Sequence, residues 1–338
     1  MSVQESFSSE KNIAIVGATG AVGIELLKVL ERRHFPIKNL RLLASPRSAG
    51  TSLLFRDTMI PVEVLEKESF KGIDIALFSA GGEISQKFVP EAVRAGAVAI
   101  DNSSAFRMEP AVPLVVPEIN AEDIKTHHGI IANPNCSTAI ALMALHPLHQ
   151  QFGLRRVIAS TYQAVSGIGA RGVEELEAQV AASVEKRLMK PEVFRHQIAF
   201  NLLPHIDSFL ENGYTREEMK FQNESRRILH LPDLKASVTC VRVPVYRAHS
   251  IAIHAEFEQP VSVVKAQDAL IAAPGVELLD DPSQGLYPMP LEAQGLDACY
   301  VGRLRLDYTT SHALAFWVCG DQLLKGAALN AVQIAECL

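Results

Sequence analysis

Past a polar beginning, the chain sets the short apolar run Asn12-Ile-Ala-Ile-Val16 against Gly17-Ala-Thr-Gly-Ala-Val-Gly23. A run of that length closed by glycines predicts a buried strand. Val22, Leu26, Leu27 and Leu30 then recur at helical spacing, so a helix follows. Residues 40–44, 73–78 and 97–100 repeat the strand pattern, and 84–95 carries a helical period between the last two. Such alternation predicts parallel strands joined by right-handed crossovers, a Rossmann-type doubly wound sheet in an α/β fold. Ligands of such sheets bind at the C-terminal ends of the strands.

The pattern changes at Cys136. A helix is expected from Ser137 to about Leu148, with Pro147 kinking or ending it. Residues 156–162 read as a strand, 173–188 as a charged helix, and the chain to about Asp233 as irregular. Strand character returns at 238–245 and 251–257, expected to pair through the turn around Arg247, and 315–318 offers a third strand. A second α+β domain is the economical reading, with a mixed sheet covered by helices on one side. The helical stretch 325–337 is expected to return to the first domain. The predicted division is 1–133 with 319–338 for the dinucleotide-binding domain, and 134–318 for the other.

Bulk properties narrow the setting. The 338 residues exceed the roughly 250–300 at which one core stops growing, consistent with two domains. A net charge of −6 without a long basic run argues against nucleic acid as a partner. No apolar run is long enough for a bilayer, and residues 1–10 lack a signal-peptide core and read as a frayed tail. The five cysteines (136, 240, 299, 319, 337) are scattered, with no metal-ligand spacing, and suggest reduced thiols in the cytoplasm. The His127-His128 doublet reads as a loop rather than a metal site.

Candidate chemistry sits at the element ends. Gly17, Gly20 and Gly23, with Thr19, Ala21 and Val22 between them, lie between strand and helix, where a dinucleotide pyrophosphate meets free N–H groups. An NAD site usually places an acid about 20 residues on. Here 44–50 has none, and Ser45, Arg47 and Ser48 suit the 2′-phosphate of NADP instead. Cys136, after Asn133-Pro-Asn135, would have its thiolate favoured by a helix start, although a small core filler is the other reading of any cysteine. Arg242 and His249 pair an anion fork with a proton-transfer group, each with an ordinary structural alternative. Arg107 follows a strand end and could hold an anion. Glu217-Glu-Met-Lys220 reads as a helix start with exposed salt bridges.

These residues resemble the aspartate-semialdehyde dehydrogenase family. The similarity runs nearly end to end, through Gly17–Gly23, Asp101-Asn-Ser-Ser-Ala-Phe-Arg107, Val115-Val-Pro-Glu-Ile-Asn120, Asn133–Thr138, Thr161-Tyr-Gln-Ala-Val-Ser-Gly167, Cys240-Val-Arg-Val-Pro-Val245 and Gly326–Glu336. The resemblance implies NADPH-dependent reductive dephosphorylation of L-aspartyl 4-phosphate, feeding lysine, methionine and threonine synthesis. Cys136 would form the thioacyl intermediate, His249 act as acid/base and Gln163 orient the reacting centre. Arg242 would clamp the substrate carboxylate, Arg107 and Lys220 the phosphate, and Glu217 the amino group, with Asn135 aiding the nucleophile. Ser166, Gly167 and Asn330 would join the cofactor site. The family also implies that 134–318 is a catalytic and dimerisation domain and that the protein is a homodimer; the residue pattern already predicts no metal and no membrane. The chain departs from the family pattern at Ala248, usually Gly, at Ile251, commonly polar, and at Asp321-Gln322, which replaces the usual Asp-Asn near the nicotinamide end. A paralogue using another acyl phosphate, or one that only binds NADP or a partner, is the alternative.

Overall fold

The computed structural model describes residues 10–338; the frayed tail expected at the N-terminus otherwise lies outside the described residues. Contacts divide the chain into two compact units, residues up to Pro134 with Ala327–Leu338, and Asn135–Gly326.

In the first unit the order is β1 (Lys11–Val16), α1 (Ala21–Arg32), β2 (Ile37–Ala44), β3 (Ser52–Phe55), β4 (Thr58–Val64), β5 (Ile75–Phe78), α2 (Gly82–Arg94), β6 (Val98–Asp101), the single turn α3 (Pro117–Asn120) and β7 (Ile130–Ala132). They build a seven-stranded sheet in the order β3-β4-β2-β1-β5-β6-β7. It is parallel except for the β3–β4 hairpin, which with β7 was not visible as an apolar run. Ile13 to Val16 are fully buried, which is why β1 shows no alternation. With β2 on one side of β1 and β5 on the other, the strand order reverses at β1, and a crevice for ligands lies at that switch point.

The second unit runs α4 (Cys136–Phe152), β8 (Leu154–Gln163), α5 (Ala170–Val184), α6 (Arg216–Ile228), β9 (Lys235–Arg242), β10 (His249–Phe257), α7 (Val263–Ala272), β11 (Val276–Leu278), the single turn α8 (Pro290–Ala293), β12 (Cys299–Leu306) and β13 (Ala313–Gly320). Its sheet is mixed, in the order β11-β12-β13-β10-β8-β9. Alternate residues of β8, from Val157 to Gln163, are buried, whereas Arg156 and Ile158 are exposed. The final helix, α9 (Leu329–Glu336), belongs to the first unit, where Arg33 and Glu336 pair at 2.6 Å.

Four expectations are corrected. β9 and β10 do not form a hairpin: β8 lies between them, parallel to β9 and antiparallel to β10. Pro147 does not end α4, which continues to Phe152 and is buried along nearly its whole length. Packing there outweighs the lost helix bond, a local cost of about 3 kcal/mol. The stretch taken as irregular contains α6, whose Thr215 side chain and Glu218 form a reciprocal capping box. The return to the first unit falls at Ala327 rather than 319, because β13 and the turn after it remain with the second sheet.

Candidate active site

The switch-point crevice of the first unit fits a dinucleotide. Gly17 has φ 84°, and a Cβ there would come within 2.4 Å of the Ser79 carbonyl oxygen. A Cβ on Gly23 would lie 2.3 Å from the Gly17 carbonyl, so α1 can approach the loop only with glycine. No side chain caps α1 at Gly20, which leaves its first N–H groups to meet an anion. Thr19, Gly20, Ser45 and Arg47 are exposed, with Ala21, Val22 and Ser48 half-buried beside them. Ser45 to Ser48 follow β2, the neighbour of β1.

Asn330 is buried, its amide nitrogen donating to the Val115 carbonyl (2.9 Å) and to Asn133 Oδ1 (2.6 Å), and so braces α9 against the strand ends. Arg107 is also buried in this unit, with Nε and Nη2 on the carbonyls of Asn133 (2.8 Å) and Asn102 (2.7 Å).

In the second unit, the start of α4 organises the remaining candidates. Cys136 is its first residue, partly exposed, and Asn135 caps the helix by accepting from the Ser137 (3.0 Å) and Thr138 (3.2 Å) amides. Gly326 packs so closely that a Cβ would stand 2.7 Å from the Cys136 Cβ. Asn135 is in turn fixed by α6: its Nδ2 donates to Glu217 (2.8 Å) and its backbone N–H to Glu224 (2.6 Å). Gln163, at the end of β8, donates to the same Glu217 oxygen at 3.3 Å and accepts from Thr161 at 2.9 Å. Lys220 reaches back to Glu217 (3.0 Å) and across to Asp207 (2.9 Å).

Burial pushes the Glu217 carboxyl up, but the Lys220 charge and the hydrogen bonds from Asn135, Lys220 and Gln163 outweigh it and hold it below the usual carboxylate value. The Lys220 ammonium is lowered by burial but raised more by its two carboxylates. A phosphate at Lys220 would therefore compete with Glu217 and Asp207.

Arg242 and His249, at the end of β9 and the start of β10, meet over the turn that follows β8. Arg242 donates to the Ala164 carbonyl at 2.7 Å, and the Ala164 N–H donates to His249 Nδ1 at 3.1 Å. A backbone N–H can only donate, so Nδ1 accepts and the neutral ring carries its proton on Nε2. That Nε2 is buried and has no hydrogen-bond partner among the described residues. Burial and the neighbouring Arg242 cation hold the imidazole well below its ordinary value, so the ring is neutral near pH 7. A Cβ on Gly167 would come 2.8 Å from Arg242 and 3.3 Å from the His249 ring, so only glycine leaves both groups open. Charge on Cys136 favours the Arg242 cation, as does Glu217, although burial lowers its value overall. Next to Arg242 a cavity of about 330 Å³ is lined by Arg195, His196, His205 and Asp207 among others.

The second unit thus gathers Cys136, Asn135, Gln163, Glu217, Lys220, Arg242, His249, Ser166 and Gly167, while Arg107, Asn330 and the glycine loop belong to the first. Sequence reasoning missed Glu224 and Asp207 as site residues, and placed the pair Asp321-Gln322 only near the nicotinamide end, without its contacts to Arg247 and Ala248. Glu224 lies seven positions after Glu217 on one helix face, a spacing that could have revealed it. Ala248, whose N–H donates to Gln322 at 2.8 Å, has φ 69°, which explains a glycine preference there. Ile251 is fully buried and pairs with Thr161 and Val318 within the sheet.

Comparison with known proteins adds independent findings. A family model described as the semialdehyde dehydrogenase NAD binding domain matches residues 12–127, and one described as the semialdehyde dehydrogenase dimerisation domain matches 145–325. The chain is 50% identical to an aspartate-semialdehyde dehydrogenase of Bacillus subtilis over 335 residues, covering 97% of each protein. Among solved structures it superposes on aspartate semialdehyde dehydrogenase II of Vibrio cholerae complexed with ASA, with TM-score 0.96, 44% identity and 98% of each chain covered. It is also similar to the Candida albicans enzyme with NADP, with TM-score 0.77, 25% identity and 98% of each chain covered.

Proposed function

The chain belongs to the aspartate-semialdehyde dehydrogenase family, and on that premise we propose that it catalyses the NADPH-dependent reductive dephosphorylation of L-aspartyl 4-phosphate to L-aspartate 4-semialdehyde. The reaction would run through a thioester on Cys136 and feed lysine, methionine and threonine synthesis. The observation that carries this reading is the buried cluster around the start of α4, where Asn135, Gln163, Glu217, Arg242 and His249 are tied together beside Cys136.

The family resemblance assigns the parts, and the geometry supports several of them. Cys136 sulfur attacks the acyl carbon; the S–C bond forms, the carbon–oxygen bond to phosphate breaks, and phosphate leaves with the electron pair. Arg242, anchored on the Ala164 carbonyl, presents its planar fork to the substrate carboxylate. Glu217, held ionised, takes the substrate ammonium, and its bonds to Asn135 and Gln163 fix its direction. Lys220 and Arg107 are the cations for the phosphate. His249 offers its Nε2 proton to the carbonyl oxygen as charge builds there, and the Cys136 backbone N–H at the start of α4 would add to that oxyanion's stabilisation. The nicotinamide nucleotide, when bound, would supply a hydride to the thioester carbon, and the C–S bond would break to release the aldehyde and return the Cys136 thiolate. Gly17 to Gly23 would hold its pyrophosphate and Ser45, Arg47 and Ser48 its 2′-phosphate, a choice supported by the absence of an acid after β2. Ser166 and Gly167 would adjoin the nicotinamide end, while Asn330 would brace the pocket. A homodimer is the expected assembly, supported by the matched dimerisation domain and by Ile158, Tyr162 and Trp317 on the open face of the second sheet.

The decisive assay is NADP reduction with aspartate semialdehyde and phosphate or arsenate. Turnover is expected with NADP in preference to NAD, and Cys136→Ala should lower kcat by at least about 10⁴-fold. Turnover surviving in that variant rejects the thioester. Binding of NADPH without turnover of aspartate or glutamate semialdehyde would leave a nucleotide-binding protein. A second reading, a longer acyl phosphate held by the same arginine, is favoured by the cavity beside Arg242. Faster turnover of glutamate semialdehyde than of aspartate semialdehyde would select it.

A further inference from the structure

We propose that Gln322 is a positioning residue, holding the left-handed Ala248 peptide and through it the aim of the His249 imidazole; this rests on the reading of His249 as the proton donor. The β10–β13 ladder ends at the pair His249–Gly320. Beyond that pair, among the described residues, no backbone bond continues the ladder between the two strands; side chains do instead. Asp321 accepts from the Arg247 guanidinium at 2.5 Å, and Gln322 Oε1 accepts from the Ala248 N–H at 2.8 Å. The two residues after β13 therefore grip the two residues before β10.

The grip is built rather than incidental. Asp321 and Gln322 are buried, and Asp321 is itself fixed by the N–H groups of Gly295 (2.6 Å) and Leu323 (2.9 Å). Gln322 Nε2 donates to Ser166 Oγ at 2.6 Å, and Ser166 Oγ donates to the Tyr246 carbonyl. One side chain thus ties the residue before His249 to the turn whose Ala164 N–H sets the tautomer of His249. Ala248 needs such a tie, because φ 69° is strained for a residue with a Cβ. Without Gln322 that peptide can relax toward negative φ, and the ring attached to the next residue swings with it. A misaimed donor lowers the rate of the step it serves and leaves binding through Arg242 intact.

The experiment compares wild type with Gln322→Ala in two measurements. Steady-state turnover of aspartate semialdehyde should show kcat reduced on the order of tenfold or more, with KM for the semialdehyde within about twofold. Nitrogen-15 NMR of histidine-labelled protein, free of nucleotide, should show His249 as an Nε2–H ring with an accepting Nδ1 in wild type. In Gln322→Ala that signature should be lost or averaged. Ala248→Gly added to Gln322→Ala should recover part of kcat, since glycine holds φ 69° without strain. An unchanged kcat, or a lowered kcat with the His249 signature intact, overturns the inference. His249→Asn, run in parallel, separates the two readings. If it retains wild-type kcat, the donor role fails; if it is inactive while Gln322→Ala is unaffected, only the positioning role fails.

Discussion

At the scale of single residues, the site separates groups that act by charge from groups that act by shape. Arg242 is both. Its Nη1 is committed to the Ala164 carbonyl, so the remaining face of the guanidinium is oriented before any ligand arrives. A lysine could keep the charge but neither the fork nor the tether. Arg242→Lys should therefore raise KM for aspartate semialdehyde about 10- to 100-fold, the range of one or two charge-assisted hydrogen bonds. The kcat at saturation should change far less. Steady-state kinetics checks this, and an unaltered KM would remove Arg242 from carboxylate binding. Gly167 shows shape alone: its missing Cβ is what lets Arg242 and His249 share one opening.

At the scale of elements, α6 shows why hydrophobic pattern reading reached only part of this protein. Its buried face is Glu217, Glu218, Phe221, Glu224, Ser225 and Ile228, so the periodicity is present but written mostly in polar residues. A search for apolar spacing passes over it, and the carboxylates then look like solvent-facing charges. The first sheet was readable because its central strands are apolar on both faces and its glycine loop is a local motif. Neighbour order in the second sheet was not, because strand pattern specifies a face and leaves the partner open; β8 entered between β9 and β10 from far upstream. Of the candidate site, Cys136, Arg242 and His249 stood out by chemical type, whereas Glu224 and Gln322 act through the backbone N–H groups of Asn135 and Ala248, which no sequence displays. Glu224→Ala tests that kind of role. It leaves the buried Asn135 N–H without its acceptor and should cost about 1–3 kcal/mol. The thermal midpoint and kcat should both fall, Glu224→Gln should recover most of the loss, and NADPH affinity should be retained. A Glu224→Ala protein as stable and active as wild type would contradict it.

At the scale of the whole molecule, both units store histidines in the neutral form. Burial lowers His127 in the first unit and His146, His149 and His249 in the second, with His128 and Arg242 adding to the effect at His127 and His249. An unfolded histidine titrates near 6.5, so between that value and each lowered one the unfolded chain binds more protons than the folded chain. Stability therefore rises with pH through this window and is lost as pH falls below about 6.5. The carboxylates respond later. Glu217 and Asp207 are raised by burial but lowered more by Lys220, and Asp307 is brought to about 2 chiefly by its hydrogen bond from His254. Their contribution is complete above the unfolded carboxylate values near 4 and disappears only as pH falls through the folded ones. Acid should consequently weaken the protein in two stages, the histidine stage first. Thermal midpoints at fixed ionic strength should decline between pH 7 and 5, before the carboxylates titrate, and more steeply below pH 4. His146→Gln and His249→Asn should each flatten the upper stage whatever they do to the midpoint at pH 7.5. A midpoint constant from pH 7 to 5 would mean that these rings are not neutral in the fold.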